Sequence, residues 1–178
     1  MVEELQHDIV KLIVTNRGPE PARYLRFALR RAIPGAARVR GTGFRGIFAL
    51  EAGGDACELA KLICRECSEQ IGHVTAVLAT VESTEEQIKA AAVRVGAAQI
   101  GPEESFCFRL HKRGAHGLAQ DTSKLEPEIG GAIWRALETK YNKEPKVNLR
   151  SPDITVIAEI LGPIAALGIC RRPWREQV

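Results

Sequence analysis

Three groups of residues have the types and spacing that chemistry requires. The first is Gly41-Thr-Gly-Phe-Arg-Gly46, which matches the glycine pattern that cradles a dinucleotide pyrophosphate. That use needs a helix straight after the glycines, so that its N-terminus faces the phosphate. Ile47-Phe-Ala-Leu-Glu51 follows instead, a strand-forming run, and the glycines are expected to form a hairpin turn. The second group is Cys64-Arg-Glu-Cys67, with Cys57 upstream and His73 downstream, residue types that hold zinc or run thiol chemistry. Cys57, Cys64 and Cys67 recur on one side of a helix with Ala60 and Ile63, which predicts a buried apolar face, and no second CxxC completes a four-ligand set.

The third group is basic. Arg109, Lys112, Arg113 and His116 surround one loop, and Arg135, Lys143, Lys146 and Arg150 lie on the next helix and strand. No Asp or Glu interrupts His111 to Arg113 or Lys146 to Arg150, and Gly114 and Gly117 let backbone N–H groups approach a phosphate. Lys112, Arg113 and His116 are therefore the first candidates for a phosphate-binding surface. Arg109, Lys146, Arg150 and Arg135 are the second. The same pattern also describes an ordinary solvated surface.

Other chemistry is disfavoured. There is no GxSxG, P-loop or HExxH, and His111 and His116 have no Cys and Asp at motif spacing. Glu126, Glu128 and Glu138 read as a solvated helix face or as first-turn charges. No cofactor and no metal are expected. Aromatic residues make up only 5% of the chain, which argues for recognition of shape and backbone over an extended platform for stacked bases.

The elements that position these groups follow from pattern. Ile9 to Thr15 reads as a strand, and Leu25, Ala28, Leu29 and Ala32 as one helix face, stopped by Pro34-Gly35. Val39 and Ile47 to Glu51 form paired strands, Asp55 caps a helix from Ala56 to about Gln70, and Val74 to Val81 is the next strand. This β-α-β-β-α-β order is that of ferredoxin-like domains. Thr84-Glu-Glu-Gln87 opens a helix to about Ala98, and Ser105 to His111 alternates as a strand. A second helix is expected from about Glu126 with Ile129, Ile133 and Leu137 in its stripe. Lys146 to Leu149, Thr155 to Ile160 and Ala165 to Ile169 complete the strands, divided by Ser151-Pro-Asp153 and Gly162-Pro163. The fold class is α/β (α+β), in two domains, 1–83 and 84–178.

Composition bounds the rest. The 178 residues are 45% hydrophobic and 26% charged, with a net charge of +3, which predicts a folded core. Charges interrupt every apolar run before the roughly 18 residues a bilayer needs, and the acidic N-terminus lacks a secretory pattern, so a cytoplasmic protein is expected.

Ser105-Phe-Cys-Phe-Arg-Leu-His-Lys-Arg-Gly-Ala-His116, then Leu125-Glu-Pro-Glu-Ile-Gly130, then Val147-Asn-Leu-Arg-Ser-Pro-Asp153 leading into Thr155-Val-Ile-Ala-Glu-Ile160, resemble the THUMP domain. This RNA-binding module is found in thiouridine synthases, some RNA methyltransferases, pseudouridine synthases and the tRNA acetylation adaptor. The resemblance covers residues 84 to about 171, and residues 9–83 are similar to the ferredoxin-like domain that precedes it. Few residues follow 171, so no catalytic domain is expected. The resemblance therefore implies a non-catalytic adaptor, not an enzyme, that binds the acceptor region of tRNA and assists a separate tRNA-modifying enzyme in cytidine acetylation. Two alternatives stay open: a cysteine- or zinc-dependent enzyme built on Cys57, Cys64 and Cys67, and a basic protein-interaction module.

Overall fold

The computed structural model describes residues 10–33, 35 and 37–176, which carry eight strands and five helices. The N-terminal segment with Ile9, Pro34 of the expected helix stop, and the last two residues lie outside the described residues. The chain divides into two compact units, residues 1–77 and 78–177.

In the first unit the order is β1 (Val10–Asn16), α1 (Ala22–Ala32), β2 (Arg38–Gly41), β3 (Ile47–Glu51), α2 (Ala56–Glu66) and β4 (Ile71–Glu82), whose end passes into the second unit. β1 lies between β3 and β4 and is antiparallel to both, with Ile13 facing Ala49 and Thr75; β2 pairs antiparallel with β3. The β2–β3 connection is the glycine hairpin expected from sequence. Gly43 at φ 86° and Gly46 at φ 73° adopt the left-handed backbone that only glycine takes without strain, and no helix follows them. Asp55 starts α2 by accepting the Glu58 N–H at 3.0 Å. Leu12, Leu25, Leu29, Leu50 and Ile63 are fully buried and hold α1, α2 and the sheet together.

The second unit contains α3 (Glu85–Gln99), β5 (Ser105–Arg113), α4 (Thr122–Tyr141), β6 (Lys146–Val147), β7 (Ile154–Leu161), β8 (Ile164–Arg171) and α5 (Arg172–Glu176). β5 is parallel to both β6 and β7, and β7 is antiparallel to β8. α3 and α4 pack on one another, α4 against β5 and α3 against β7 and β8. Thr84 caps α3 through the Gln87 N–H at 3.3 Å, as its spacing predicts.

α4 starts a turn earlier than expected, at Thr122 instead of about Glu126, which puts Pro127 inside the helix. The buried Leu125 explains the longer element, because it extends the stripe of Ile129, Ile133 and Leu137 by a turn. The helices meet where Gly96 of α3 faces Ile133 of α4: a Cβ on Gly96 would stand 2.7 Å from Ile133 Cγ2. Overpacking of this kind costs roughly 1–3 kcal/mol. Gly96→Val is accordingly expected to lose about 2 kcal/mol in urea unfolding, and an unchanged midpoint would show that Ile133 turns aside freely.

Candidate functional site

The parallel register of β5 and β7 decides what the basic residues of β5 do. It places His111 opposite Glu159, which is fully buried. Arg113 Nη1 donates to Glu159 Oε2 at 2.5 Å, and His111 Nδ1 lies 3.2 Å from Oε1. Burial by itself pushes the Glu159 carboxyl up, but the hydrogen bonds and charges of His111 and then Arg113 outweigh it and hold it down at about 2. Lys112 Nζ donates to the Gln120 carbonyl at 2.5 Å. The Gln120 and Ala119 N–H groups in turn donate to Glu85 Oε1 at 2.9 and 3.1 Å, and His116 Nδ1 accepts the Leu118 N–H at 3.3 Å. Lys112, Arg113 and His116 thus fasten the loop after β5 to its own unit.

The second set divides in two. Arg109 Nη1 donates to Glu126 Oε2 at 3.3 Å and Nη2 to the Leu149 carbonyl at 2.7 Å, tying β5 to α4 and to the segment after β6. Glu126 Oε1 accepts the Leu110 N–H at 2.8 Å, so this carboxylate belongs to the β5 contact and not to a solvated helix face. Lys146 donates to Glu103 at 2.9 Å, beside Lys143, which bonds the same carboxylate. The hydrogen bonds of Lys143 and Lys146 hold the Glu103 carboxyl down at about 2. Arg135 and Arg150 are exposed and have no carboxylate partner among the described residues.

Ser151-Pro-Asp153 is more than a turn. Asp153 Oδ2 accepts from both the Ser105 N–H, at 2.8 Å, and the Ser105 hydroxyl, at 2.7 Å, while Arg172 reaches Oδ1 at 2.5 Å. The backbone bond from Ser105, followed by that from its hydroxyl, lowers the Asp153 pKa. This clamp sets the starts of β5 and β7 level and carries the preceding residues, Val147 to Arg150, out along the edge of β5.

Between that edge and α4 lies a cavity of about 330 Å³. β5 contributes Phe106, Cys107 and Phe108, α4 contributes Pro127, Gly130, Gly131 and Trp134, and Val147 and Leu149 close the far side. Arg109, Ser123 and Glu126 supply its polar groups. Two glycines inside a helix leave the room: a Cβ at Gly130 or Gly131 would meet only Phe108 Cβ at 3.9 Å or Arg135 Nη1 at 3.5 Å. Val147 and Leu149 remain 53% and 63% exposed, so the cavity opens on an apolar lip. Its volume is at the low end of the roughly 300–1,000 Å³ of ligand pockets. Its two charged lining groups, Arg109 and Glu126, are bonded to each other. Trp134, Pro127 and the glycine pair were not among the sequence candidates.

Of the cysteines of the first unit, Cys57 is half-buried, outside the buried face expected from its spacing. Cys64 and Cys67 are buried, and burial, then the charge of Glu66, pushes the Cys67 thiol up to about 11. A nucleophilic or metal-binding thiolate requires the opposite shift.

No helix among the described residues is long and apolar enough to cross a membrane. None of the curated protein sequences matches the chain. Among solved structures, PH1313 from Pyrococcus horikoshii Ot3 matches at TM-score 0.62 and 17% identity, over 92% of this chain and 55% of that one. TrmN from Thermus thermophilus matches at TM-score 0.58 and 22% identity, over 89% and 44%. A 4-thiouridine synthetase in complex with RNA and bound ATP matches at TM-score 0.59 and 17% identity, over 92% and 42%. The chain therefore spans about half the length of the structures it matches.

These comparisons correct the expectation of a non-catalytic adaptor that is not an enzyme. The same fold forms part of a longer chain described as a synthetase, so the few residues after 171 do not set this chain apart from enzymes. At the level of sequence, residues 82–169 match the THUMP domain profile, nearly the span resembled on motifs alone. This chain carries a THUMP domain.

Proposed function

We propose that the chain supplies the RNA-gripping part of a tRNA-modifying enzyme. In this reading one unpaired nucleotide of the substrate enters the cavity beside Trp134, and neighbouring phosphates lie on Arg135 and Arg150. Lys112, Arg113, His116, Arg109 and Lys146 hold the surface in shape and add positive field, since each is already engaged within the fold. The observation that carries the proposal is the cavity inside a THUMP domain, with Arg135 Nη1 beside its Gly131 wall and Arg150 next in the chain to its Leu149; neither arginine has a carboxylate partner among the described residues. The structural likeness to a synthetase described in complex with RNA and bound ATP supports it.

Binding of a tRNA transcript, measured across a salt series, tests the reading. Each phosphate contact contributes a slope of about 0.7 to 0.9 in log K against log salt. Arg135→Ala/Arg150→Ala should lower both the affinity and this slope, by about one contact for each arginine. Equal slopes for the variant and the parent chain would place the phosphate contacts elsewhere.

A further inference from the structure

Away from that cavity, the first unit holds another group of arginines that have no carboxylate partner among the described residues. Between Lys11 and Glu51 the acidic residues are Glu20 and Glu51, against eight arginines. Arg40 pairs with Glu51 at 3.0 Å. Arg23, Arg30 and Arg31 of α1 are exposed and have no carboxylate partner among the described residues. The same helix exposes two rings, Tyr24 at 50% and Phe27 at 63%. Standing three residues apart, they are neighbours on one helix face. The Arg23 guanidinium lies over the Tyr24 ring at 5.2 Å and that of Arg31 over Phe27 at 5.9 Å. In a chain with few aromatics, this is a concentrated pair.

Tyr24, Phe27, Arg31 and Glu20 line a cleft of about 700 Å³, to which α2 brings Glu66, paired with Arg65 at 2.8 Å, and the turn after α2 brings Glu69 and Gln70. The cleft thus joins ring faces and guanidinium planes to carboxylate and amide acceptors, with cations alongside. A protein docked on it would have to supply carboxylates for three arginines and cover two rings. A single strand of RNA brings both complements in one repeating unit: a base to stack and a phosphate to neutralise. The acceptors fit the exocyclic amino groups of cytosine and adenine, which uracil lacks.

We infer that α1 is a second RNA contact, where unpaired nucleotides stack on Tyr24 and Phe27, place their amino groups toward Glu66, Glu69 and Gln70, and set their phosphates on Arg23, Arg30 and Arg31. This rests on the reading that the chain binds RNA, and it uses none of the residues of the Trp134 cavity.

The test uses labelled ten-nucleotide oligo-C and oligo-U and the full chain with Gly131→Leu, which closes the Trp134 cavity. Oligo-C should bind more tightly than oligo-U, and adding Tyr24→Ala/Phe27→Ala should lower oligo-C affinity at least tenfold, with the thermal midpoint unchanged because both rings are exposed. Equal oligo-C affinity with and without the two rings overturns the inference. So does polyglutamate that competes as well as oligo-C, because that outcome marks a site for acidic protein. If Gly131→Leu leaves tRNA binding intact while loss of the rings weakens it, the cavity reading fails and the α1 contact stands.

Discussion

Replacing Glu159 by alanine is expected to destabilise the second unit by about 3 kcal/mol at pH 7. Removing one partner of a buried ion pair costs roughly 3–5 kcal/mol, because the remaining charge is left without compensation. The Arg113 side chain keeps 21% of its exposure and can recover some hydration, which places the effect at the lower end of that range. The pH dependence follows from the same contacts. His111 and Arg113 hold the carboxyl at about 2 in the folded unit against about 4.3 in an unfolded chain, a difference on the order of 3 kcal/mol. A folded pKa lowered in this way contributes stability that is complete above about pH 4.5 and is lost as pH falls toward 2. Guanidinium unfolding at pH 7 and at pH 3 should therefore show a large gap between Glu159→Ala and the parent chain that narrows in acid. A variant within 1 kcal/mol of the parent at pH 7 would show that the three-residue cluster does not hold β5 to β7.

The second large effect concerns binding. Gly131→Leu should lower tRNA affinity by about ten- to hundredfold, since one stacked base is worth roughly 1–3 kcal/mol. Its side chain would point into the cavity beside Trp134, where a Cβ meets nothing closer than Arg135 Nη1 at 3.5 Å. Replacing a mid-helix glycine by a good helix former gains up to about 1 kcal/mol, so the thermal midpoint should hold or rise. Weaker binding from a fold at least as stable is the signature of a filled site. Unchanged affinity in a melting-matched sample would remove the cavity from the RNA contact.

The local elements were legible because their signals are local. Thr84 and Asp55 announce helices that start at the next residue by capping an N–H three residues on, and Gly43 and Gly46 mark a hairpin because a strand-forming run follows them. Long-range pairing was not legible. Along the chain, His111 to Arg113 is a run of cations with no acid in it, yet Glu159, 46 residues beyond Arg113, lies opposite. Lys146 and Arg109 meet Glu103 and Glu126 in the same way, across strands and helices. A strand's own spacing carries no information about its neighbour's register. This is why the first-choice phosphate ligands prove to be engaged within the fold, while Arg135 and Arg150 stand exposed. The cavity was hidden for a different reason: glycines inside a helix read as weakness until the wall opposite them is known.

The Glu159 cluster also acts on the folding path. Side chains alternate faces along a strand, so a slip of one residue between β5 and β7 would move the carboxylate from His111 to the wrong side of the sheet and strand it in apolar surroundings. Apolar side chains tolerate such a slip far better than a buried charge does. The ion pair therefore acts against slips by an odd number of residues between two parallel strands far apart in sequence, because each of them takes this carboxylate off the face that carries Arg109, His111 and Arg113.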